Sequence, residues 1–383
     1  MSDPLTCRRD LFDIPDDRAY MNCAYMGPLP TRTVDIGRQA LASKGQPWSI
    51  GPDDFFEPVE ALRGEIATLL GVDATTIALT PAVSYGMALA ARNLPLAKGQ
   101  RIVTLADQFP SNVYAWRAAA AQVGASVDTV DRPADHDWTT AILECIGPDV
   151  AVVSLAPCHW TDGTLVDLAL VADAARAVGA AVVVDTAQTA GAAPFDMAAV
   201  RPDFLAGAFY KWLLGPYSLG FTYVDPAHHD GEPLENNWIT RAGSSNFAGL
   251  VDYQDQYGPG ARRYDVGEVS NFALVPPATE SLRLINELEP VRIAAYAATL
   301  TDHVAAGAAD LGLVVAPPKR RSDHLIGLRL PAGTDPVELA GTLAEANVHV
   351  SVRGDSVRVS AHVFNSLDDA DRLLEALQTA LSR

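Results

Sequence analysis

From about residue 53 to residue 225 the chain alternates two patterns. Short runs dominated by apolar and β-branched residues cover Thr76–Thr80, Arg101–Ala106, Ser126–Val130, Val150–Ala156, Ala181–Asp185, Phe204–Phe209 and Gly220–Val224. Between most of them lie alanine- and leucine-rich stretches at helical spacing, such as Phe55–Leu70, Asn112–Val123 and Leu168–Val178. Nearly continuous apolar strands separated by helices predict an α/β fold, with a mostly parallel seven-stranded sheet between two layers of helix. Residues 226–275 are richer in glycine, asparagine and aromatics and read as loop. Pro276–Asn286 and Val291–Ala309 read as helices separated near Pro290. The remainder reads as strand His324–Leu330, helix Pro336–Ala346, strands Val348–Arg353 and Val357–Ala361, and helix Leu367–Leu381. The expected organisation is an N-terminal segment over 1–20, a large ligand-binding domain over 21–275, and linking helices with a small α+β domain over 276–383.

Composition narrows the partners. The 383 residues are 49% apolar, enough for a large buried core. They carry 47 acidic and 28 basic side chains, a net charge of −19, which repels phosphate backbones and anionic lipid. Neither nucleic acid nor membrane is an expected partner. The four cysteines, Cys7, Cys23, Cys145 and Cys158, are scattered without a C-x-x-C pair, so neither a disulfide framework nor a metal site is expected. The N-terminal stretch is charged and lacks the apolar core of a secretion signal, which points to the cytoplasm.

In an open parallel sheet, ligands bind beyond the carboxyl ends of the strands. Asp185 closes the otherwise apolar run Ala181–Asp185. It reads either as a helix-capping carboxylate or as a partner held for a cationic ligand atom. Lys211 follows Phe204–Phe209 and sits between Tyr210 and Trp212. Desolvation there would lower its pKa and suit it to Schiff-base chemistry. Leu79–Gly86 leads from the strand Thr76–Thr80 into a helix over Ser84–Asn93, where free amides and the helix dipole at Ser84 favour an anion, although an ordinary capping serine is the simpler reading. Phe109, beyond Arg101–Ala106, either stacks on a flat ligand or packs in the core. Neither G-x-x-x-x-G-K-[ST] nor G-x-G-x-x-G occurs, which removes the usual support for ATP and dinucleotide sites.

Together these pieces resemble the class V aminotransferase family of fold-type I pyridoxal-phosphate enzymes, which includes cysteine desulfurases, kynureninases and isopenicillin N epimerase. The most specific stretch is Val184-Asp185-Thr186-Ala187-Gln188 followed 26 positions after the aspartate by Tyr210-Lys211. The resemblance implies pyridoxal 5'-phosphate as cofactor and Lys211 as its Schiff-base lysine. It implies Asp185 on the pyridine nitrogen, Gln188 on the ring oxygen, and Ser84 with the neighbouring Val83 and Tyr85 at the phosphate. Phe109 would stack on the ring and Tyr210 would approach the phosphate. Arg358, in Val357-Arg358-Val359-Ser360, would bind the substrate α-carboxylate, with His159 on the substrate side. Trp238, Ser244 and Ser245 resemble a loop that reaches a partner subunit's phosphate, and the loop has no obvious partner within its own domain. A homodimer with shared sites is therefore implied. The expected activity is amino transfer on an α-amino acid or similar small amine. A C–S, C–C or β/γ-eliminating lyase, an epimerase and a non-catalytic cofactor-binding protein are the alternatives. Asn347–Arg358 contains no cysteine, which disfavours a desulfurase mechanism with a persulfide carrier there.

Overall fold

The computed structural model describes residues 4–382, so Met1–Asp3 of the expected N-terminal segment and Arg383 lie outside the described residues. The strands are β1 (Ala19–Tyr20), β2 (Ile77–Thr80), β3 (Arg101–Leu105), β4 (Ser126–Val130), β5 (Val150–Leu155), β6 (Ala181–Asp185), β7 (Phe204–Ala208), β8 (Gly220–Val224), β9 (Leu325–Arg329), β10 (Val348–His349), β11 (Ser351–Arg353) and β12 (Ser356–Ser360). The helices are α1 (Thr31–Ser43), α2 (Glu57–Leu70), α3 (Val83–Asn93), α4 (Tyr114–Val123), α5 (Trp138–Cys145), α6 (Leu168–Ala177), α7 (Met197–Val200), α8 (Val275–Leu288), α9 (Pro290–Asp310), α10 (Pro336–Glu345) and α11 (Leu367–Leu381).

The expected sheet forms with strand order β2-β8-β7-β6-β5-β3-β4. Only β8 runs against its neighbours, so β2, β3, β5, β6 and β7 end on one side. Strands β2, β5, β7 and β8 are buried at every residue, as unbroken apolar runs require once helices cover both faces. Helix α3 lies very close to the sheet. A Cβ on Gly86 would stand 2.7 Å from both Ala206 Cβ and Thr222 Oγ1, so only glycine permits this approach.

Past β2 the chain over 226–275 packs back on the sheet without strands of its own. Asp265 Oδ1 accepts from the Leu79 amide at 2.7 Å, and the Val266 amide donates to the Leu79 carbonyl at 3.0 Å. Arg63 of α2 donates to both Asp265 carboxylate oxygens, at 3.2 and 2.7 Å, and to the Ile77 carbonyl.

A second apolar cluster joins α9, α10 and α11 to β9, β10 and β12 and includes Ala19 and Met21 from near the N-terminus. The sequence suggests one strand over Val348–Arg353. Instead it changes partner: β10 pairs in parallel with β1, and β11 pairs antiparallel with β12. The β11–β12 turn is Gly354-Asp355, with Gly354 at φ +59, a left-handed conformation suited to glycine in a tight hairpin. The loop after β5 braces β9: Gly327 N donates to Asp162 O at 3.0 Å and Ser322 N to Gly163 O at 2.8 Å.

Candidate active site

Asp185 and Lys211 reach the same side of the sheet because β6 and β7 are parallel neighbours. Lys211 is 5% exposed, with Nζ 5.4 Å from the centre of the Phe109 ring and 5.3 Å from that of Tyr210. No hydrogen bond or ion pair holds Nζ among the described residues. The backbone of residues 23–27 closes over this lysine. Gly27 N donates to Tyr210 O at 2.9 Å, and a Cβ on Gly27 would lie 2.1 Å from Lys211 O.

Burial pushes the Lys211 ammonium down to about 8. Asp185 opposes that shift, while Arg358 and Arg353 add to it. Burial raises Asp185 above the ordinary carboxylate range, against the Ala187 amide and Lys211. Asp185 is 5% exposed. Its Oδ1 accepts from Ala187 N at 2.9 Å, and no side-chain cation pairs with it among the described residues. Arg358 is 1% exposed and donates from Nη1 to the Trp160 carbonyl at 2.9 Å, while Nε and Nη2 are buried with no partner. Burial, then Arg353, pushes its guanidinium down to about 9.

Helix α3 begins without a side-chain cap or an acidic residue of its own in its first turn. Val83 there is buried and Ser84 exposed. Burial, then Glu235, pushes the Tyr85 hydroxyl up to about 12. Gln188 is more tied than the sequence suggests, since Oε1 accepts from Trp212 Nε1 at 2.9 Å and Nε2 donates to Ala24 O at 3.2 Å. One amide hydrogen of Gln188 is left for a ligand.

His159 is built into the frame. Its ring stacks on Trp138 at 5.3 Å with 8° between planes. Nε2 lies 2.9 Å from the Ala106 carbonyl, and Nδ1 lies 2.7 Å from Thr161 Oγ1. Burial, then Arg132, lowers its pKa.

Trp238, Ser244 and Ser245 do not join the Lys211 cluster. They belong to another region, where Ser244 and Ser245 line a hollow of about 460 Å³. The expectation that this loop lacks partners in its own chain is corrected. Trp238 packs edge-on against Phe55, Phe56 and Phe247, because residues 226–275 fold back onto the start of α2. Ser244 Oγ donates to Ile239 O at 2.9 Å.

Trp160 is a residue that sequence reasoning passed over. Its Nε1 donates to Asp107 O at 2.6 Å and its ring meets Phe109 edge-on at 5.3 Å. Its carbonyl holds Arg358. The only sequence signal was its place in the His159–Gly163 stretch after β5.

These features fit pyridoxal phosphate. A buried carboxylate without a cation suits a protonated ring nitrogen, an uncapped helix N-terminus suits a phosphate, and an unpaired buried lysine beside an aromatic face suits the aldehyde carbon.

The aminotransferase class-V family model matches residues 52–373. Isopenicillin N epimerase of Streptomyces clavuligerus is 29% identical over 93% of both chains. Kynureninase of Deinococcus radiodurans is 30% identical over 69% of this chain and 65% of its own. In fold, the chain is similar to the apo cysteine desulfurase of Thermococcus onnurineus, with a TM-score of 0.86 and 19% identity over the whole of both chains. The chain belongs to the aminotransferase class-V family of pyridoxal-phosphate enzymes.

Proposed function

We propose that this protein is an aminotransferase in which Lys211 removes the α-proton of a small α-amino acid. The observation that carries the reading is the buried, unpaired Lys211 amine, shifted to about 8 at the end of β7. A base titrating there is neutral often enough to accept a proton near pH 7 and can return it. When bound, the cofactor supplies the sink for the electron pair left at the α-carbon. Asp185 would hold the ring nitrogen positive. The open end of α3, with Val83, Ser84 and Tyr85, would take the phosphate, beside Tyr210. Phe109 would cover one ring face, and the free amide hydrogen of Gln188 would reach the ring oxygen. Arg358 would fix the substrate α-carboxylate through its two unpartnered donors.

The same proposal makes the active form a cytoplasmic homodimer, with the loop of Trp238, Ser244 and Ser245 serving a second copy. Val251 and Tyr253, farther along the same strandless segment, stand 79% and 93% exposed and would meet that copy.

Amino transfer is favoured over elimination because three groups that could protonate a leaving group are already engaged. His159 has both ring nitrogens engaged, Tyr264 donates to the His228 carbonyl, and Tyr85 is held by Glu235. An epimerase is the second reading, supported by the identity across 93% of isopenicillin N epimerase. The test adds amino acids to the cofactor-loaded enzyme without any oxo acid. Amino transfer discharges the yellow colour, releases one oxo acid per site and stops. Sustained release of product overturns it in favour of a lyase. Inversion at the α-carbon with solvent deuterium uptake and lasting colour overturns it in favour of an epimerase.

A further inference from the structure

Arg358 is not the only guanidinium turned toward Trp160. In the β11–β12 hairpin Ser351 stands opposite Arg358 and Arg353 opposite Ser356. Side chains alternate faces along a strand, so Arg353 shares the face of Ser351 on its own strand and of Arg358, its diagonal neighbour across the hairpin. Both guanidiniums lie against one indole, with Arg353 Cζ 5.3 Å and Arg358 Cζ 6.0 Å from the Trp160 ring centre.

Neither has an acidic partner among the described residues. The polar contacts that hold them are Arg353 Nη1 to Val352 O at 2.6 Å and Arg358 Nη1 to Trp160 O at 2.9 Å. Arg353 Nε, Arg358 Nε and Arg358 Nη2 are buried and unsatisfied. Other arginines of this acidic chain, such as Arg63, Arg101 and Arg262, sit on carboxylates. Like charges side by side are costly unless anions complete them, and a carboxylate on each would satisfy both planar forks. Arg353 and Trp160 also line a cleft of about 420 Å³, with Asp107, Arg132, Asp162 and Arg329 among its other walls.

We propose that the substrate is an amino acid with two carboxylates, Arg358 taking the α-carboxylate and Arg353 the one at the end of the side chain. This rests on the reading of Arg358 as the α-carboxylate anchor. Trp160 is a positioning residue: its ring face steadies both cations while its carbonyl orients Arg358.

The test compares diacids with neutral isosteres on the cofactor-loaded enzyme. Aspartate, glutamate and 2-aminoadipate are titrated against asparagine, glutamine and norleucine by the change in cofactor absorbance. Glutarate and valerate, which carry no amine, are titrated by calorimetry. The expected result is at least about tenfold tighter binding of diacids, a preference that Arg353→Met reduces to within about threefold. Arg353→Lys, which keeps the charge but loses the fork, should retain a smaller preference and serves if Arg353→Met does not fold. Equal binding of diacid and isostere by the wild-type enzyme, or a preference unchanged in Arg353→Met, overturns the proposal. The two readings fail separately. A protein that never turns yellow with pyridoxal phosphate refutes the cofactor assignments, whereas glutarate binding requires no amine chemistry.

Discussion

Lys211 gives the most direct measure of the site's electrostatics. The experiment mixes the cofactor-free chain with pyridoxal phosphate and follows covalent capture by absorbance between about pH 6 and about pH 10, a window set by the ordinary pKa values involved. Only the neutral amine attacks a carbonyl carbon, so the rate rises with pH and levels above the pKa of the folded protein. With Lys211 at about 8, half of it is neutral at that pH. At the ordinary 10.5 only about 0.3% would be, so burial enlarges the reactive fraction about 150-fold. The second phosphate ionisation, near pH ~6, lies below the rise and does not distort it. The neighbours fix the sign of two perturbations. Asp185 raises the Lys211 pKa, so Asp185→Asn should move the midpoint down. Arg358 lowers it, so Arg358→Met should move the midpoint up. A wild-type midpoint near the ordinary lysine value, or variants that both move the same way, would refute the account of a desolvated lysine poised between one anion and two cations.

Four further variants have expected outcomes. Lys211→Ala should lose borohydride-fixable cofactor and at least about a thousandfold in turnover, and mass spectrometry after reduction checks the first of these. Gly64→Ala, at a helical position with open space around it, should stabilise by about 0.5–1 kcal/mol, the helix preference for alanine. Gly86→Ala should instead destabilise by about 1–3 kcal/mol, because its Cβ collides with β7 and β8, and denaturant melts of the pair reveal the opposite signs. Arg63→Met strands the buried Asp265 carboxylate and should cost about 3–5 kcal/mol, read in the same melts.

Much of this was legible in the chain itself. Apolar runs ending in Asp185 and preceding Lys211 marked the strands and the ends where the candidate site lies, since a buried sheet leaves an unmistakable pattern and charge at its boundary is conspicuous. Arg358 was found by resemblance rather than pattern, because a strand arginine looks the same whether it faces water or a ligand. Arg353 and Trp160 were not singled out at all. Their contact joins a loop after β5 to a hairpin nearly two hundred residues later, and no local spacing encodes it. Helix α1 was missed for a different reason: it buries only Thr33 among its 13 residues, so no apolar stripe announces it. Strand β1, two residues long, owes its existence wholly to β10.

The clasp around Leu79 bears on how this protein survives heat. Strand β2 is the last of its sheet, and an end strand offers bare amides and carbonyls to any other chain that can pair with it. Here the outward amide and carbonyl of Leu79 are occupied by Asp265 and Val266, and Arg63 fastens that cover in place. The guard is made from a strandless segment rather than from the sheet, so it can peel away while the sheet is intact. Clumping, followed by light scattering, should then precede loss of secondary structure on warming. Arg63→Met should bring it on at lower temperature, so that the molecule's working ceiling is set by one ion pair at its margin rather than by the strength of its core.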